Sequence, residues 1–267
     1  MTKYYLSALI RKLGLIQVLD KLRFYIQYIL TNKARNNFFK THPYLKLPPP
    51  YFLYETYNLN YESFYKNGSE TAKWLADYFK KHKKLENVNI LDWGCGPGRV
   101  IRHLPDYIDK SCNIYGTDYN EKYVKWCQMN LSDIKFIKNE LAPPLKYENN
   151  FFDIIYGISI FTHLSKDMHY QWFNELLRVL KPNGILFLTL HGDAFKIKLT
   201  ESEQKMYTSG QVVIKSNTKE GHRTYGAFHP DKFVHELIGN NKILEHVKGG
   251  VKNGMPQQDV WIIGKVV

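Results

Sequence analysis

Apolar residues recur along the chain in distinct rhythms. Between residues 4 and 30, from Leu6 and Leu9 to Ile29 and Leu30, they are spaced by three and four. That spacing predicts a helix with one apolar stripe and basic residues on its other faces, which Gly14 divides in two. The proline triplet at 48–50 predicts a helix stop, and the tyrosines that follow it predict a linker and aromatic arm over 48–69. Ser69 then reads as the cap of a helix over 70–82, with Ala72, Leu75, Ala76 and Phe79 facing inward.

From residue 88 onward short apolar runs alternate with amphipathic ones. Strands are expected at 88–92, 113–118, 134–138, 153–159 and 185–191, with helices at 99–104, 121–129 and 167–180 between them. A helix over 231–239 and strands at 243–248 and 260–266 complete the pattern. The expectation is an α/β fold, a doubly wound, mostly parallel seven-stranded sheet with an N-terminal helical extension. Residues 192–230 break the rhythm as a polar insertion containing a hairpin, "QVVIKSNTKEGHRTYGAF". Three segments follow: a basic amphipathic extension (1–47), the aromatic arm (48–69) and the main domain (70–267).

Charge changes this picture at one end. The 267 residues hold 37 Lys and Arg against 25 Asp and Glu, a net charge of +12. Within residues 1–40 there are eight basic residues and only Asp20, so 8 − 1 = 7 of that excess lies there. The extension is therefore expected either to cover its own domain or to meet a partner or an anionic membrane surface. Cys95, Cys112 and Cys127 show no paired or metal-binding spacing, which points to reduced thiols and no metal site. No run approaches a membrane span and no signal-peptide pattern begins the chain. A cytoplasmic protein is expected, with peripheral attachment at the inner membrane left open.

The candidate chemistry centres on "NILDWGCGPGRVI", residues 89–101. Gly94, Gly96 and Gly98 follow a strand that ends in Asp92, while Arg99 stands where a dinucleotide fingerprint needs glycine. Asp118 ends the second strand in "IYGTDYN", twenty residues beyond Gly98. "DWGCGPG" resembles the first motif of the class I S-adenosylmethionine-dependent methyltransferases, an acid, one residue and GxGxG. "FFDIIYGISIFTHL" is similar to the fourth-strand motif of that family. "LLRVLKPNGILFLTLHG" is similar to its helix, proline–glycine turn and fifth strand. Together these cover about two fifths of the chain.

The resemblance implies a Rossmann-like fold, S-adenosylmethionine as cofactor and S-adenosylhomocysteine as product. It implies that the loop amides and Arg99 serve the cofactor's carboxylate and that Asp92 holds its ammonium or the loop amides. Asp118 would take the ribose hydroxyls, Tyr119 the adenine face, and either Asn139 or Glu140 the adenine amine. Trp93, Cys95, Leu141 and Ser159 complete the expected cofactor neighbours. A hydroxyl acceptor calls for a base titrating near neutrality, for which His163, His191 and His229 are candidates, with His163 preferred. Tyr61 and Tyr65 are candidates for stacking on the acceptor.

The resulting expectation is methyl transfer to a small molecule, a carbohydrate or glycan-precursor hydroxyl. The rivals are a nucleic-acid or protein methyltransferase and a non-catalytic cofactor-binding, membrane or partner adaptor. Nucleic acid is disfavoured, because "PPPY" at 48–51 lacks the acid or amide of the base-amine motif and the charge lies away from any aromatic groove.

Overall fold

The computed structural model describes residues 16–266 except Asn217. Leu6, Leu9, Ile10, Leu13 and the division at Gly14 lie outside the described residues. The chain divides into two compact units at Glu70/Thr71.

The N-terminal unit is helical: α1 (Ile16–Leu30), α2 (Asn32–Thr41), α3 (Pro50–Tyr57) and the start of α4 (Tyr61–His82). The expected linker and arm over 48–69 is thus corrected. Pro50 opens α3, at a position where the missing N–H would have had no helical partner. Asn58 ends that helix in the left-handed region, and the Asn60 side chain caps α4 by accepting from Ser63 N at 2.9 Å. Ser69 lies inside α4 and not at its start. Tyr61 and Tyr65 are corrected as well, because their rings pack inside this unit. Tyr61 is buried 5.5 Å from Phe39, and Tyr65 lies 6.4 Å from Phe38, around a core that includes Leu53, Tyr54 and Phe64.

The second unit is built on β1 (Asn89–Trp93), β2 (Asn113–Asp118), β3 (Lys135–Lys138), β4 (Phe152–Ile158) and β5 (Leu180–Leu190). A small pair, β6 (Val213–Lys215) and β7 (Gly226–Phe228), forms the hairpin of the insertion. Then come β8 (Lys242–Val247), a short pair β9 (Val251–Lys252) and β10 (Met255–Pro256), and β11 (Asp259–Gly264). The main sheet runs β3-β2-β1-β4-β5-β11-β8, and β11 alone is antiparallel to its neighbours. Its helices are the rest of α4, α5 (Glu121–Asn130), α6 (Lys166–Val179), α7 (Glu201–Thr208) in the insertion, and α8 (Asp231–Ile238). Where a helix is expected at 99–104 there is a 3-10 turn, Ile101–Asp106, held short by Pro105, which has no N–H to continue it.

Side-chain alternation explains the layering. Leu91, Ile155, Leu186, Leu188 and Trp261 face α6 and α8, whereas Ile90, Ile154, Phe187 and Ile262 face the other layer, which includes α4 from Ala72 to Phe79. Both faces are covered, so the central strands are apolar on both sides and their C-terminal ends are left for a ligand.

Phe187 is fully buried with Trp74, Tyr78 and Phe79 edge-on around it at 5.2–6.1 Å. Phe187→Ala should lower unfolding free energy by about 3–5 kcal/mol, read as a drop in the urea midpoint. An unchanged midpoint would mean that α4 is not docked on the sheet in solution.

Candidate functional site

The loop after β1 turns back on β2 at once. Gly94 and Gly96 have φ of 81° and 55°, a region costly for residues with a Cβ. A Cβ at Gly94 would collide with Ile160, while at Gly96 it would meet nothing within 4 Å, so bare backbone faces open space there. The amides of Gly94 and Cys95 donate to Thr117 O at 2.8 and 2.9 Å, Gly96 N to Asp118 Oδ2 at 2.9 Å, and Gly98 N to Cys95 O at 3.1 Å. These N–H groups are therefore spent tying the loop to β2 and to itself, which corrects the expectation that they serve a ligand carboxylate.

Asp92 and Asp118 end up buried at neighbouring strand tips. Asp118 accepts from Gly96 N and, at 2.7 Å, from Asn120 N. Burial pushes its carboxyl up to about 6, against the pull of those two amides. Asp92 accepts from Tyr156 Oη at 2.8 Å. Burial pushes it up to about 7; the Tyr156 bond and the Arg99 charge work against this, and the neighbouring Asp118 adds to it. Two acids with one nearby guanidinium make a site that favours a cation.

A pocket opens beside them, lined by Trp93, Gly94, Asp118, Tyr119, Asn139, Glu140 and Leu141, and across from these by Ile160, His163, Leu164, Trp172 and Gly221. Asp92, Cys95, Gly96, Gly98, Arg99 and Ser159 do not line it. The Cys95 side chain is sunk in the core shared with Cys127, and the hydrogen bond with the Cys127 thiol, together with burial, raises its own thiol well above its ordinary range.

The structure separates Asn139 from Glu140. Glu140 points to solvent and pairs with Lys138 at 2.5 Å. Asn139 is buried, donates through Nδ2 to Glu140 O at 2.6 Å, and leaves Oδ1 with no protein donor. A buried acceptor without a partner is costly, and a ligand amine in the pocket would satisfy it.

The histidines also separate. His163 Nδ1 lies 3.1 Å from Tyr225 O and His191 Nδ1 lies 3.1 Å from Ala227 O. A carbonyl only accepts, so each Nδ1 carries the proton and each Nε2 holds the lone pair a base needs. Burial lowers both, His191 to about 4, so both are neutral near pH 7. Only His163 lines the pocket. His229 is corrected: its ring is 1% exposed, with Nε2 2.8 Å from His169 Nε2, and burial holds it well below its ordinary value. It is a core histidine.

Three features escaped sequence reading. Ser159, expected only as a cofactor neighbour, follows β4 at φ 65°, a strained conformation for serine, and an unforeseen ring of bonds holds it there. Its N donates to Thr189 Oγ1 at 2.9 Å, Thr189 Oγ1 to Gln258 Oε1 at 2.6 Å, and Gln258 Nε2 to Ser159 Oγ at 2.6 Å. Trp172 donates to Leu141 O at 2.9 Å and fixes the pocket wall. The insertion covers the mouth: Gly221 N donates to His163 O at 2.9 Å, Tyr119 Oη donates to Gly221 O at 3.0 Å, and Glu220 accepts from Ser165 N. The sequence shows a hairpin insertion over 192–230 and leaves open whether it is a lid or an interface. As for metal chemistry, Asp231, His246 and Asp259 cluster, but Lys248 Nζ lies 2.8 Å from Asp231 and supplies the cation.

A family model described as a methyltransferase domain matches residues 90–184. The demethylmenaquinone methyltransferase of Lactobacillus johnsonii is 31% identical over 117 residues, 42% of this chain and 47% of that protein. The tRNA N(3)-methylcytidine methyltransferase trm140 of Schizosaccharomyces pombe is 29% identical over 162 residues, 56% of this chain and 50% of that protein. The chain thus spans about half the length of these curated relatives. Magnesium protoporphyrin IX methyltransferase from Synechocystis PCC 6803, solved with bound SAH, superposes with a TM-score of 0.55 at 15% identity over 80% of this chain and 91% of that one, a likeness of fold. The family match falls on the strands and loop that build the pocket, so residues 90–184 are similar to a methyltransferase domain and the sheet has the fold of solved S-adenosylmethionine-dependent methyltransferases.

Proposed function

We propose that the chain transfers a methyl group from S-adenosylmethionine to a hydroxyl of a small-molecule acceptor. The observation that carries this reading is the buried pair Asp92 and Asp118 beside the unpartnered Asn139 Oδ1. Two acids suit a ligand with an ammonium and a sulfonium, and the amide oxygen suits the amine of its adenine. The residues present therefore fit this cofactor.

Bound S-adenosylmethionine supplies a methyl group already activated for displacement. Asp118 is assigned the ribose hydroxyls, since both its oxygens sit at the β2 tip and each keeps a lone pair beyond its backbone bond. Tyr119 and Leu141 offer apolar faces to the adenine, and Asp92, with Arg99 nearby, is assigned the amino-acid end. His163 Nε2 is assigned the acceptor's hydroxyl proton, which it would take as the methyl group is transferred. The acceptor's place is then by His163 and the Ser159 ring. A carbohydrate acceptor belongs to this proposal as its first member to test. The named relatives carry demethylmenaquinone, tRNA and magnesium protoporphyrin IX in their names and do not single out a sugar.

Three outcomes test the proposal. Asp118→Ala should weaken S-adenosylhomocysteine on the order of 10- to 100-fold by calorimetry, the loss of charged hydrogen bonds worth about 1.5–3 kcal/mol. Equal affinity in the variant would place the cofactor elsewhere.

The second outcome is a pH dependence. Carboxyl groups raised in the empty protein contribute stability fully below their unfolded value near 3.8 and lose it as pH rises through about 6 to 7. A cationic ligand relieves that loss by favouring the ionised forms. The rise in Tm caused by S-adenosylmethionine should accordingly be larger at about pH 8 than at about pH 5.5. Equal shifts would uncouple these acids from the ligand.

Third, His163→Ala should lower turnover by about 10²–10⁴-fold on an acceptor found by screening hydroxyl compounds, sugars first, with S-adenosylhomocysteine affinity nearly unchanged. Because burial lowers His163, the acid limb of the wild-type kcat/KM profile should lie below 6.5. Full turnover in the variant would move the role to His191.

A further inference from the structure

Helix α1 is amphipathic in an inverted sense. The face it packs inside the N-terminal unit carries Phe24 and Tyr28, with Asp20 accepting from Tyr54 Oη at 2.7 Å. The opposite face is aliphatic and open. Val18, Leu19, Leu22, Ile26, Ile29 and Leu30 are all exposed, the last two at 73% and 76%. At 3.6 residues per turn these positions fall in an arc of about 120°. Lys21 and Arg23, both exposed, border the arc on either side.

From residue 16 to residue 41 there are five basic residues, Lys21, Arg23, Lys33, Arg35 and Lys40, and one acid, Asp20. Among the described residues no helix is long and apolar enough to cross a membrane. An exposed apolar face of this size on a soluble surface marks a contact. Its pairing with a basic border is the pattern of a helix that lies in the plane of an anionic bilayer, apolar side chains among the acyl chains and cations at the headgroups.

We infer that α1 docks this protein on an anionic lipid surface. A second copy of the chain fits the same face poorly. Facing two such helices would set Lys21 and Arg23 against their own copies, and the sole acid of the segment is already engaged with Tyr54. A bilayer of anionic lipid supplies both the apolar phase and the countercharge. This inference stands apart from the methyl-transfer proposal, because α1 belongs to the N-terminal unit and the pocket to the second.

The test is sedimentation of the full chain with vesicles of phosphatidylglycerol and phosphatidylcholine, beside vesicles of phosphatidylcholine alone. Binding is expected to the anionic vesicles, weakened by added salt and much lower on the neutral ones. Leu22→Glu with Ile29→Glu should cut the partition coefficient on the order of 10-fold or more, since two apolar side chains become charged at the acyl boundary. A matched Tm and matched S-adenosylhomocysteine affinity would show that the variant is folded. No sedimentation of the wild type, or equal sedimentation of the folded variant, would overturn the inference. A wild-type dimer that the double substitution turns into a monomer, with no vesicle binding by either, would also overturn it and assign the face to a second copy.

Discussion

Burying two carboxylates at adjacent strand tips is the constraint on which the rest of the site depends. Parallel pairing of β1 with β2 brings Asp92 and Asp118 to the same end of the sheet, where both are buried. Asp118 is tolerable there because Gly96 N reaches it, and Gly96 can reach it only because the loop reverses through residues of positive φ. That reversal in turn needs Ile160 to pack where a Cβ of residue 94 would stand. The glycine spacing is thus the backbone's answer to a buried charge, which the proposed cationic ligand would compensate. An empty site of this kind is less stable than it would be with neutral residues, which ties the protein's stability to its ligand.

The same physics explains what could be read in advance. The central strands were legible because each is apolar on both faces over a short run, and the acid at the β2 tip because its distance from the glycines is set by one crossover. The N-terminal unit was not legible in detail. Proline was read as a stop, although at Pro50 it starts a helix, and the tyrosines were read as a free arm although their rings fill a core. Helix α7 carried a readable signal, the reciprocal Thr200 and Glu203 cap, but no apolar stripe beyond Tyr207 to confirm it. The choice between Asn139 and Glu140 was beyond reach because both follow the end of β3, where only the folded chain decides which side chain turns inward. Gln258 was invisible for a different reason. Its bonds to Ser159 and Thr189 span 99 and 69 residues and depend on the antiparallel register of β11.

The insertion at 192–230 links two properties that look separate. Its segment around Glu220 and Gly221 closes the pocket mouth, held by His163 O, Tyr119 Oη and Ser165 N. A few residues on, the carbonyls of Tyr225 and Ala227 fix the tautomers of His163 and His191. His163 is therefore held by this one segment at its backbone and at its ring. Any displacement of residues 219–225 that opens the mouth also frees the imidazole to rotate and to exchange tautomers. With the segment in place, the pocket is covered and the ring nitrogen that carries the lone pair is determined. Cover and imidazole orientation are then a single structural state, so in the proposed reaction the imidazole would be set for proton transfer only while the pocket is shielded from water.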